Sequence, residues 1–214
     1  SAQPDLIVGT DVLKIDQESL NRIAPAITVS VTPKDWQTAL RELGQMLGRE
    51  RQADEWISQY TAKAEEAKQQ VSERIGPDET VMFLRVLKKE YRLYGERQLT
   101  GTLLYQDLGL KAPQQVSAIE GVNQTISMEV LPGIDPDYIL LDVGAVVAGG
   151  DAQGESLYEE LKQSALWKNM KAVKNNHVYL VPDWFFRTDF PIARGKSLDV
   201  VIDALVNDNP ALKD

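Results

Sequence analysis

Two arginines stand where arginine is least expected. In 80-TVMFLRVL-87, Arg85 interrupts a run of Val, Met, Phe and Leu, and in 91-YRLY-94, Arg92 sits among aromatic and aliphatic neighbours. A guanidinium taken out of water needs a counter-charge, so each is either paired inside the protein or kept for an anion that binds. Its planar fork of donors suits carboxylates and catecholates, which it holds bidentately. Other chemistries are poorly served. The absence of cysteine excludes disulfides, thiolate metal sites and a cysteine nucleophile, and the lone His177 excludes a multi-histidine metal site. Gly149 to Gly154, GGDAQG, has neither the glycine spacing of a dinucleotide loop nor the Lys-Ser/Thr of a P-loop, and reads as a surface turn. Asp142 or Asp183 would serve as general base if the protein were an α/β enzyme acting on an anionic small molecule, but no catalytic motif accompanies them.

Strand alternation puts Val81, Phe83, Arg85 and Leu87 on one face, and Arg92 and Tyr94 together on a face of the following strand. Arg85 lies in the second half of its strand, toward the end beyond which open α/β sheets bind ligands. Residue types alone leave Arg85 open between a core ion pair and a ligand contact. They leave Arg92 open between a ligand contact and an exposed strand edge.

The elements that must position these side chains are legible along the 214 residues. Residues 4–11, PDLIVGTD, and 27–31, ITVSV, read as strands. Thr32 reads as an N-cap with Pro33 in the first turn, opening a helix that carries Trp36, Ala39, Leu40, Leu43, Met46 and Leu47 at helical spacing. A longer helix follows Gly48, with Trp56, Tyr60, Ala64, Ala67, Val71 and Ile75 on one stripe, until Gly76-Pro77 stops it. Strands at 80–87 and 91–94, a helix at 102–110, a buried strand at 138–144, a helix at 155–167, a strand at 177–181 and a helix at 196–206 complete the pattern. Strands alternating with helices predict an α/β fold with a largely parallel sheet. Thirty-two acidic against 23 basic residues, a formal charge of −9, argue against nucleic acid as the main partner. No apolar run reaches membrane-spanning length.

Pro4-Asp5-Leu6-Ile7-Val8-Gly9 echoes Pro136-Asp137-Tyr138-Ile139-Leu140-Leu141. A whole unit, residues 78–135, precedes the second copy, whereas three residues precede the first. The expectation is a first lobe without its opening section, with the 4–9 strand lacking the neighbours of its counterpart at 138–141.

The order of these pieces resembles the siderophore-binding proteins of bacterial ABC importers. PDLIVGTD followed by NRIAPAITVSV, the long helix 53–75, FLRVLKKEYRLYG with GTLLYQDLGL, SMEVLPGIDPDYILL and WKNMKAVKNNHVYLVP each match a passage of that family, in order. The resemblance implies two Rossmann-like lobes joined by a rigid long helix: residues 1–50 as the remnant of an N-terminal lobe, 51–76 as the inter-lobe helix and 77–214 as the C-terminal lobe. It implies a binding protein outside the cytoplasm, periplasmic or lipid-anchored through a segment absent from this chain. Such a protein captures a ferric siderophore in an inter-lobe cleft and delivers it to the importer's permease, with no cofactor and with iron held only by the siderophore. Cobalamin or haem on the same scaffold is the alternative ligand. The resemblance places Arg92 and the loop 95-GERQLTG-101, with Gln98, along the ligand cleft beside Arg85 and Tyr94. It places Arg187 in the loop after the last strand with Trp184 and Phe185, although that loop, DWFFRTDFP, lacks the Gly-rich form of some subgroups. Glu129, in an S-x-E setting, takes the place of a glutamate that docks on permease arginines. His177, just before a strand, is expected to be structural or exposed.

Overall fold

The computed structural model describes residues 3–10, 16–29, 35–87, 90–144, 152–186, 188, 190–209 and 212–213. They fall into two units, one of Ser1–Ala62 with Asp189–Pro191 and one of Lys63–Thr188 with Ile192–Asp214. The division passes through the long helix.

In the first unit, β1 (Ile7–Thr10) and β2 (Ala26–Val29) pair in parallel, with Ile7 opposite Ala26. The crossover between them carries a short helix, α1 (Gln17–Asn21), capped by the Asp16 carboxylate, which accepts from the Ser19 N–H at 3.0 Å. Among the described residues β1 meets only β2, whereas the strand at 138–142 has a neighbour on each side. The next helix, α2 (Trp36–Leu47), starts differently from the expectation. Its N-cap is Asp35, whose carboxylate accepts from the Thr38 N–H at 2.9 Å and from the Thr38 hydroxyl at 2.8 Å. Thr32 lies outside the described residues. An acceptor directly before the first apolar helical residue competes for the cap, and here it wins. Gly48 closes α2 with φ of +63°, a conformation that a side chain would strain. α3 (Glu50–Arg74) follows at once. A Cβ on Gly44 would stand 2.9 Å from the Ala53 Cβ, so these helices meet through their smallest residues. Trp36 packs edge-on against Trp56 and Tyr60.

α3 is 25 residues long, and its buried stripe is Ala53, Ile57, Tyr60, Ala64, Ala67 and Val71. That three-and-four spacing is what a single apolar stripe on an otherwise charged helix requires.

The second unit is built on a five-stranded sheet of order β5-β4-β3-β6-β7. Its strands are β3 (Val81–Leu87), β4 (Glu90–Tyr94), β5 (Asn123–Ile126), β6 (Tyr138–Asp142) and β7 (Val178–Leu180). β3, β5, β6 and β7 all run in one direction and only β4 runs against them, so the sheet is largely parallel, as expected. The reversed strand is β4, the second arm of the expected strand pair, and β5, whose sequence NQTI has no apolar run to reveal it, is added to its outer edge.

Both faces of the sheet are covered. On one, Met82, Leu84, Val86, Leu93, Ile139 and Leu141 pack with Leu161, Trp167 and Met170. The other carries Phe83, with Phe185 edge-on at 5.3 Å and Tyr94 at 4.9 Å. The helix expected at 102–110 is a π-helix, Thr102–Asp107, with the Leu108 N–H reaching back five residues to the Leu103 carbonyl. The one expected at 155–167 divides into Ala152–Gln163 and Ala165–Lys168, because the Ser164 hydroxyl caps the Trp167 N–H at 3.1 Å. Ala152 to Gly154 are thus helical rather than part of a turn, and 149–151 lie outside the described residues. The helix expected at 196–206 begins earlier, at Pro191.

The register of β3 and β6 is pinned at their start. The Asp137 carboxylate accepts from the Thr80 N–H at 2.8 Å and its hydroxyl at 2.9 Å, with the Lys171 ammonium 3.7 Å away. Burial alone would raise this carboxyl; the Thr80 hydrogen bonds and Lys171 outweigh it and hold it below its ordinary value. A depressed folded value means stability that is fully present above the unfolded value, ~3.9, and lost as pH falls through the folded one. Asp137→Asn is therefore expected to lower Tm at neutral pH and to flatten the acid limb of a Tm-against-pH profile. An unchanged acid limb would show that this carboxylate does not set it.

Candidate functional site

Arg85 and Arg92 sit directly opposite each other on the antiparallel pair β3–β4, so both side chains leave the same face of the sheet. Like charges facing across strands repel. Two carboxylates on that face relieve the repulsion. Asp142, the last residue of β6, is in register with Arg85 and forms a buried ion pair with its Nε. Glu90, two residues before Arg92 on β4, forms an ion pair with the Arg92 Nη2 and accepts from the Thr125 hydroxyl of β5 at 2.9 Å.

Arg85 is only 8% exposed and is held from three directions. Its Nε donates to Asp142, its Nη1 donates to the Tyr94 hydroxyl at 3.1 Å, and the Phe186 ring lies 3.8 Å from its guanidinium carbon. Its Nη2 has no partner among the described residues. Asp142 also accepts from the Gly144 N–H at 2.8 Å. Burial pushes the Asp142 carboxyl above its ordinary value, against the pull of Arg85 and the Gly144 N–H. Burial likewise disfavours the Arg85 charge, but Asp142 and Tyr94 more than offset it. The cation is thus kept and its plane is fixed.

The structure brings Arg85, Arg92 and Tyr94 together, and it separates roles among the rest. Tyr94 (2% exposed) and Phe185 (0% exposed) are core side chains. Trp184 is half-buried in the turn after β7, and Gln98 is exposed on the loop 95–101. Arg187 lies outside the described residues. Glu129 is exposed, in the first turn of the short helix Met128–Val130, and the Ser127 hydroxyl lowers its carboxyl below the ordinary value. His177 stacks on Tyr138 at 4.3 Å, and its Nδ1 is 3.2 Å from the Asp137 carbonyl, a structural placement.

Of the readings open for these arginines, the structure shows ion pairs for both, Arg85 with Asp142 and Arg92 with Glu90. Asp142 and Glu90 were the missing members. The sequence carries a signal for Asp142, since it closes the apolar run ILL just as Arg85 interrupts FL-VL. Two opposite charges ending adjacent buried strands are natural partners. Phe186 was legible only as one aromatic of three.

A family model described as periplasmic binding protein matches residues 1–184. The chain belongs to this family. It is 32% identical over 208 residues to the iron(3+)-hydroxamate-binding protein FhuD of Bacillus subtilis, an alignment that takes in 94% of this chain and 63% of the relative. Among solved structures it resembles a periplasmic binding protein component of a ferrichrome ABC transporter from B. subtilis, with a TM-score of 0.82 and 30% identity over 95% of this chain and 74% of that one. It also resembles the triscatecholate siderophore binding protein FeuA of the same organism, solved with ferri-bacillibactin. There the TM-score is 0.75 and the identity 26%, over 96% of this chain and 71% of that one. The α/β fold is therefore that of siderophore-binding members of the family. The chain spans 63% of the length of the curated relative FhuD.

Proposed function

We propose that this protein captures a ferric siderophore of the hydroxamate class outside the cytoplasm and delivers it to the permease of an ABC importer. The observation that carries the choice of class is the pairing of Arg85 and Arg92 with carboxylates. A ferric trihydroxamate core is electrically neutral, because each hydroxamate carries a single negative charge, whereas a tris-catecholate core keeps a large negative charge. A face on which Arg85 is balanced by Asp142 and Arg92 by Glu90 offers oriented N–H donors and aromatic surface with little net positive charge. Such a face suits the neutral chelate. The hydroxamate-binding relative among the similar proteins supports the same choice.

In this reading Arg85, Arg92, Gln98, Trp184 and Arg187 meet the chelate, and the Tyr94 hydroxyl and the buried Phe185 support Arg85 and its surroundings. Iron arrives already wrapped by its siderophore, so the protein supplies no metal ligand. The reading of Asp142 as an enzyme's general base is disfavoured by its engagement with Arg85 and the Gly144 N–H.

Glu129 is assigned to the permease. It should matter for delivery and not for capture. In cells that depend on the full-length protein, Glu129→Ala is expected to abolish or strongly reduce iron uptake from a ferric trihydroxamate, while the purified variant keeps wild-type affinity for it. Loss of affinity in the purified variant would remove Glu129 from the docking role. Cells whose uptake of iron from every ferric chelate is independent of the protein would overturn the functional reading.

A further inference from the structure

Arg194 is another buried arginine, 1% exposed, on the helix Pro191–Val201. Its Nε and Nη2 donate to the Asp107 carboxylate at 3.1 and 2.6 Å, and its Nη1 donates to the Thr102 hydroxyl at 3.1 Å and to the Thr188 carbonyl at 3.2 Å. Thr102 opens and Asp107 closes the π-helix that follows the loop 95–101, and Thr188 belongs to the segment that carries Trp184 to Phe186. A second tie joins the same two segments. Thr100, fully buried, donates its hydroxyl to the Phe185 carbonyl at 3.2 Å. The loop 95–101 also folds tightly on itself: a Cβ on Gly101 would fall 1.8 Å from the Gly95 carbonyl oxygen, so only glycine fits there.

A buried ion pair is seldom the most stable filling for a core, since well-packed apolar residues often do as well or better. Its use here fixes geometry. We infer that Arg194 and Thr100 are positioning residues for ligand recognition, tying the loop 95–101 and the π-helix after it to Trp184–Phe186 and Thr188 as one preorganised surface. Through Phe185, which Thr100 anchors and Phe83 packs, the tie sets the adjacent Phe186 over the Arg85 guanidinium. A surface already in its bound arrangement loses less freedom when the ligand docks, and affinity gains accordingly. The inference rests on the reading of these loops as the recognition surface.

The test uses the full-length protein and four variants. Thr100→Val removes the hydroxyl at nearly constant shape, Thr100→Ser keeps it, and Arg194→Lys keeps the charge but loses the fork. Leu161→Ala is a control for destabilisation, since Leu161 lies in the core on the opposite face of the sheet. Where all are folded, Thr100→Val and Arg194→Lys are expected to raise the Kd for a ferric trihydroxamate by roughly tenfold. They should also speed amide exchange at Phe185, Phe186 and Thr188. Thr100→Ser should restore both readouts, and Leu161→Ala should lower Tm while leaving both unchanged. Wild-type Kd and wild-type loop exchange in Thr100→Val and Arg194→Lys, with only Tm reduced, would overturn the inference. Should the unmutated protein bind no ferric chelate, the siderophore reading fails on its own. Loop exchange then decides the bracket: faster exchange in Thr100→Val upholds it and unchanged exchange refutes it.

Discussion

Asp142→Ala is expected to lower the free energy of unfolding by about 3–5 kcal/mol, the usual consequence of leaving one member of a buried ion pair without the other. Arg85 is held among Phe186, Tyr94 and Asp142 with little access to water, and Asp142 is its only carboxylate partner among the described residues. Without that carboxylate the guanidinium must be rehydrated or left uncompensated, and either outcome strains the carboxyl end of the sheet. Asp142→Asn should fall short of this loss, because an amide oxygen still accepts from the Arg85 Nε while the charge is gone. Removing both charges together, as Arg85→Met with Asp142→Leu, should recover most of the stability, since apolar residues of similar volume fill the site without an unpaired ion. Chemical denaturation of the three variants checks the series. If Asp142→Ala unfolds at the wild-type denaturant midpoint, the pair does not hold the sheet as described.

The same double variant isolates the second large effect. Arg85→Met alone would confuse lost binding with lost folding, because it leaves Asp142 buried and unpaired. The double variant is expected to keep the fold, because the donor and its carboxylate partner go together and no ion is left unpaired. Losing one charged hydrogen-bond donor to the ligand costs about 1.5–3 kcal/mol of affinity, so the Kd for a ferric trihydroxamate is expected to rise roughly tenfold or more. Arg92→Ala should have a much smaller effect, since its side chain is about a third exposed and its partner Glu90 lies beside it. Wild-type affinity in a well-folded double variant would make Arg85 purely a part of the core.

How much of this was readable beforehand follows from how locally each feature is encoded. The α3 stripe from Tyr60 on, the buried strands β3 and β6 and the Arg85 anomaly each depend on residues close together in sequence and were legible, whereas at the start of the stripe Ala53 and Ile57, not the expected Trp56, are buried. β5 was not, because NQTI joins a sheet edge through backbone hydrogen bonds and owes nothing to an apolar pattern. The N-cap of α2 is Asp35 and not the expected Thr32, because both are good acceptors near the same helix start and local sequence does not rank them. The partner of Arg85 is 57 residues away in sequence and meets it only through parallel register, a relation fixed by the whole sheet. Arg194 gives no local signal for the same reason. It sits in a helix of unremarkable pattern, and its importance comes from contacts 87 and 92 residues distant. The order of motifs along the chain, by contrast, identified the family, because order integrates many weak local signals.

The most direct measurement of the central claim is a tryptophan-fluorescence titration of the full-length protein with a ferric trihydroxamate, the same siderophore free of iron, and a ferric tris-catecholate. Trp184, half-buried beside Phe185 and Phe186 in sequence, is the natural reporter. Saturable quenching by the ferric trihydroxamate is expected, with the tris-catecholate at least about tenfold weaker. The absence of saturable binding to any ferric chelate would contradict the account.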